Sequence, residues 1–242
     1  MLKCFMYMTR IRKLTGAIRK FCCSHWVQGF IVGLAVAFAF QAMYTPIQNA
    51  KYGKLIHTRI SEEIRTNADI LLRKMRIADN FLKQLVEMEE LISEAPPHLL
   101  LPDPYRELGP RLRRDVMGQS FKREAYNDLL SNATRVSPTF LEKCRIVYSC
   151  FDTVERDEEL RITMITRIYE TWEAIGIAAI YGVPIFRKTL GGLVGSYWLY
   201  YDQLREKSEG IVRDLNLPLP PSDLFWFEYL VEQRESSSQE EE

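Results

Sequence analysis

With 242 residues the chain has room for one or two domains. Its apolar fraction of 47% is ordinary for a globular protein, and its mean hydropathy of −0.18 excludes a multi-span membrane protein. Thirty-two basic residues balance 32 acidic ones, yet Lys3, Arg10, Arg12, Lys13, Arg19 and Lys20 all precede residue 45 with no acid among them, so the remainder is acidic and carries no nucleic-acid footprint.

Residues 1–26 form a basic leader. Leu14, Ala17, Ile18 and Phe21 recur at helical spacing beside Arg10, Lys13 and Lys20. That pattern suits an amphipathic helix on anionic lipid, and equally a basic flank that only sets topology. Cys22 and Cys23 fall at the membrane edge, where acylation and inert thiols are the two readings.

Residues 27–44, VQGFIVGLAVAFAFQAMY, carry no charge. As a helix they span roughly 27 Å, close to the hydrocarbon core of a bilayer. The expectation is a single transmembrane helix with its N-terminus on the cytoplasmic side. A cleaved signal peptide is the alternative, since Ala35-Val36-Ala37 and Ala37-Phe38-Ala39 fit an A-x-A rule. Gly29, Gly33, Ala37 and Gln41 follow each other at four-residue steps and form a candidate transmembrane pairing face.

Thr45-Pro46 reads as the exit from the membrane. Residues 45–93 then read as a long juxtamembrane helix. Ile64, Ala68, Leu71, Met75, Ala78, Leu82 and Leu85 make an a/d seam, which serves a domain core or a self-associating coiled coil. Ile70, Ile77, Phe81 and Met88 add a second apolar stripe, which favours a core.

Residues 94–231 are expected to form a helical domain. Pro-rich residues 94–110 are a loop whose Leu99-Leu100-Leu101 run plugs into the core. Residues 111–133 resume a polar helix, and Asn132-Ala133-Thr134 fits a glycosylation acceptor. Ser137-Pro138 starts a helix as N-cap and first position, running to about Val154. Arg156-Asp157-Glu158-Glu159 is a charged turn or helix entry. The next helix runs to Gly182 and is broken at Val183-Pro184. Ala174–Tyr201 is apolar, but Pro184, Arg187 and Lys188 exclude a second span. Pro218, Pro220 and Pro221 form a linker, and Ser222-Asp223 caps a short aromatic helix. Residues 232–242 read as a disordered acidic tail.

Little in the chain suggests catalysis. Glu170 and Glu173 lie one turn apart and are a candidate acid/base or ligand pair, but no E-x-x-H follows. Gly191-Gly192-Leu193-Val194-Gly195 lacks the strand and the Gly-Lys-Ser/Thr of a phosphate loop, so tight helix packing is the better reading. The only histidines are His25, His57 and His98, and none is placed by sequence near Cys144 or Cys150, which read as free thiols. No catalytic residue, cofactor or metal ligand is assigned.

After the expected membrane helix, Gln48-Asn49 open the next helix, and Tyr169-Glu170-Thr171-Trp172-Glu173-Ala174-Ile175-Gly176 is followed by Tyr181-Gly182. Gly195-Ser196-Tyr197-Trp198 and the aromatic run Phe225-Trp226-Phe227-Glu228-Tyr229-Leu230 come later. In this layout the chain resembles a bacterial family known as domain of unknown function number 4760. The resemblance implies an all-helical, membrane-tethered module and no activity.

The expectation is therefore an all-α, single-pass membrane protein that acts as a self-associating interaction or regulatory module. Its expected partners are the lipid bilayer and a second copy. The alternatives are a membrane-tethered enzyme using Glu170 and Glu173, and a secreted helical protein.

Overall fold

A computed structural model describes residues 25–93, 109–175, 178–209, 211 and 215–239. Every regular element among them is helical. Helix α1 is His25–Ser93, followed by a π-helical turn at Arg113–Met117, α2 at Glu124–Ser131, a 3-10 turn at Ala133–Arg135, α3 at Pro138–Ile175, α4 at Ala178–Glu209 and α5 at Phe225–Gln239. The chain divides into two units between Lys54 and Leu55.

The first unit contributes the opening turns of α1. From Gln28 to Ile47 every side chain is exposed. The rings of Phe40 and Tyr44, one turn apart, stack at 5.5 Å.

The second unit has a core drawn from all of its helices. From α1 it takes Ile56, Ile60 and every residue of the Ile64–Leu85 seam, each at most 1% exposed. Tyr148, Phe151 and Ile162 of α3 and Leu193, Tyr197 and Tyr201 of α4 complete its centre. α3 begins as its sequence predicts: the Ser137 hydroxyl accepts the Phe140 amide at 3.2 Å, and Pro138 fills the first position, where no amide donor is needed.

In several places the elements run differently from expectation. α1 does not end at Pro46. Proline withholds one amide from the helical ladder, but the turns on both sides are intact, and the Thr45 hydroxyl donates to the Gln41 carbonyl at 2.7 Å. The expected helix over residues 111–133 divides at 118–123. There the Asn67 side chain takes both the N–H (2.7 Å) and the C=O (2.8 Å) of Lys122, so both backbone groups of that residue are withdrawn from any helical ladder.

α3 is continuous where a charged turn was expected. Asp157 and Arg161 pair at 3.0 Å one turn apart, and Glu158 turns inward, so Arg156–Glu159 stays helical. Val183-Pro184 likewise lies inside α4, where the proline removes a single ladder bond two turns from the start. α5 extends to Gln239, past the expected start of a disordered tail, because no glycine or proline interrupts it. The loop over 94–108, with its leucine run, and residues 1–24 of the basic leader lie outside the described residues.

Candidate functional site

Two features of α1 stand out. The first is the exposed apolar segment. An 18-residue window of mean hydropathy 1.7 lies near its start with none of it buried. Phe30, Val36, Phe38 and Phe40 are each more than 60% exposed. An exposed apolar run of this length is compatible with a single membrane span or with a signal sequence. Gly29 and Gly33 face open space, with no atom within 4 Å of the point where a Cβ would stand, and Ala37 and Gln41 on the same row are exposed.

The second is a row of polar side chains on the inward face of α1 in the second unit. Glu63, Asn67, Lys74 and Asp79 are each at most 7% exposed. A buried polar group is costly without a hydrogen-bond partner, and each of these has one on a distant element. One Glu63 oxygen accepts the Ala125 amide at 2.7 Å. The other accepts the Tyr126 amide at 3.2 Å and the Tyr148 hydroxyl. α2 has no side-chain cap of its own, so Glu63 supplies the anion at its N-terminus. Asp79 does the same for α5, accepting the amides of Phe225 at 3.0 Å and Trp226 at 2.9 Å. The cap expected from Ser222-Asp223 thus comes from α1 instead. Burial, with the nearby Asp223 and Glu228 adding to it, still holds the Asp79 carboxyl above its ordinary value, although both amide bonds pull it down.

Lys74 sits at the centre of the row. Its ammonium reaches both Glu158 oxygens, at 3.0 and 2.8 Å, and lies 5.2 Å from the centre of the Phe121 ring. The Tyr197 hydroxyl donates to the same carboxylate at 2.9 Å, which links α1, α3 and α4. Burial and the adjacent Glu158 charge drive the Tyr197 phenol far above its usual range.

The residues of the Ile64–Leu85 seam are buried within the chain's own core. Glu170 is exposed, and the side chain of Glu173 lies outside the described residues. The α4 glycines serve packing. A Cβ on Gly191 would meet the Tyr229 ring at 3.4 Å, one on Gly195 the Trp226 ring at 2.8 Å, and one on Gly192 the Arg161 guanidinium at 2.6 Å. Gly191 and Gly195 therefore form the seat of α5. Cys144 and Cys150 are free and buried, and burial pushes the Cys144 thiol up to about 12. Cys22 and Cys23 fall outside the described residues. Among the described residues no group of His, Cys, Asp or Glu is arranged to hold a metal ion.

Among the described residues these observations define an all-α fold with one helix long and apolar enough to cross a membrane. Neither the family models nor the curated proteins nor the solved structures contain a match to the chain. The resemblance to the 4760 family rests on the residues named for it alone.

Proposed function

We propose that this chain is a single-pass membrane protein whose helical domain is an interaction or regulatory module held at the bilayer by residues 27–44. The observation that carries the reading is the uninterrupted exposure of Gln28–Ile47. Trp26 and Tyr44 flank the apolar stretch, a separation of roughly 27 Å along a helix, which suits aromatic side chains at the two interfaces. The basic leader favours a cytoplasmic N-terminus. A retained anchor is preferred to a cleaved signal because the helix continues past both A-x-A sites and through Pro46. Full-length protein is expected in the membrane pellet after high-salt and carbonate washes. Release at a mass lacking the first ~39 residues would identify a signal peptide instead.

Self-association is assigned to the face formed by Gly29, Gly33, Ala37 and Gln41. Lipid supplies no hydrophobic drive between helices, so close backbone approach has to hold a pair together. Gly33→Ile places a branched side chain where the partner backbone would lie. In a membrane two-hybrid assay of segment 24–46 this variant is expected to lose most of the wild-type signal, whereas Leu34→Ile keeps it. Equal signals from Gly33→Ile and wild type would make the row incidental.

A further inference from the structure

Beyond anchoring, the interface between α3 and α4 holds a pair of nucleophiles that the proposed role does not use. The Lys207 ammonium of α4 lies 3.4 Å from the Cys150 sulfur of α3. That sulfur also contacts the Ile146 carbonyl, at 3.5 Å. Among the described residues Lys207 has no carboxylate within ion-pairing distance, so its polar neighbour is the thiol. Cys150 is 6% exposed, which shields it from bulky reagents but leaves it open to a small oxidant. Cys144, less than two turns earlier, is fully buried.

We propose that Cys150 and Lys207 form a peroxide-responsive covalent cross-link between α3 and α4. In the first step the Cys150 sulfur attacks one oxygen of a hydroperoxide. The O–O bond breaks, the sulfur becomes a sulfenic acid, and the departing oxygen leaves as water or alcohol with the thiol proton. In the second step the Lys207 nitrogen, once its ammonium has given one proton to solvent, attacks that sulfur. An S–N bond forms, the S–O bond breaks, and the hydroxyl leaves as water with a proton from the nitrogen. Sulfur has then lost two electrons and the peroxide has gained them. A thiol reductant returns both side chains to their starting state. Sulfenic acids are known to condense with a backbone nitrogen in this manner. Here the amine is already at contact distance, so closure needs no helix movement beyond the side chains.

The test uses the full chain in detergent with Cys4, Cys22, Cys23 and Cys144 replaced by Ser, which removes every disulfide partner within the chain; a disulfide between two copies through Cys150 would double the mass and is told apart by it. Treatment with hydrogen peroxide is expected to lower the intact mass by about 2 Da, a loss reversed by a thiol reductant. Tryptic digestion should show missed cleavage at Lys207 and a linked peptide containing both residues. Lys207→Arg keeps the charge but removes the nucleophilic amine, and its Cys150 should instead gain oxygen up to the sulfinic acid. The proposal is overturned if the mass loss persists in Lys207→Arg. It also fails if the parent chain either gains oxygen at Cys150 with Lys207 still cleaved by trypsin, or does not react at all.

Discussion

Replacing Lys74 with methionine is expected to cost the helical domain about 3–5 kcal/mol, the penalty for breaking a buried ion pair by removing one partner. Methionine nearly matches lysine in length, so the loss reports charge rather than volume. Glu158 would remain 2% exposed with only the Tyr197 hydroxyl to stabilise it. Domain stabilities run to about 5–15 kcal/mol, so the single change brings the fold close to unfolding at ambient temperature. The companion variant Lys74→Met/Glu158→Leu removes both charges. It should recover most of the loss, because an apolar replacement of a buried pair is neutral or stabilising. Urea unfolding of the full chain in detergent, followed by tryptophan fluorescence, measures both. A single variant as stable as wild type would mean that the pair is hydrated in solution.

Gly195→Val should release α5. The Trp226 ring would lie 2.8 Å from the new Cβ, and a Cβ, fixed to the helix backbone, has no rotamer to escape into. Overpacking typically costs about 1–3 kcal/mol, and valine adds two methyl groups beyond the Cβ. The cap from Asp79 has to be broken if α5 moves, because the amides of Phe225 and Trp226 travel with the ring. Limited proteolysis over residues 210–224 is expected to accelerate about 100-fold or more if docking loses about 3 kcal/mol. Gly53→Ala is the control. Nothing lies within 4 Å of its Cβ position, so alanine should stabilise the helix slightly. Unchanged proteolysis in Gly195→Val would show that α5 does not sit on α4 in solution.

The all-helical class and the residues of the α1 seam were legible because a 4,3 spacing survives any arrangement of partners. The start of α3 was legible for a local reason, since Ser137 caps an amide three residues away. What escaped was the polar row. Glu63, Asn67 and Lys74 continue the register of Ile70, Ile77 and Phe81, so the second stripe mixes apolar and polar members. A stripe read only for its apolar members hides them. Their partners lie 55 to 85 positions away, and those of Asp79 lie 146 and 147 away, so no local spacing announces a cap supplied by another helix. The continuity of α3 was missed for a related reason. Four charges in a row look like a turn until one of them is seen to face a buried lysine.

The polar row also has a consequence in time. α1 is made first, yet Asp79 receives its amide partners 146 residues later and Lys74 its carboxylate 84 residues later. At about 5–20 residues per second of synthesis, Asp79 waits roughly 7–30 s. Until α5 is made the inner stripe of α1 is only partly covered, because Glu63 and Lys74 find their partners first. If residues 27–44 are already in the bilayer by then, the nascent chain is tethered where other chains of its kind are being made. The helix proposed to hold the protein at a membrane is then also the one whose inner face waits longest, and among the described elements it is completed only when α5 arrives.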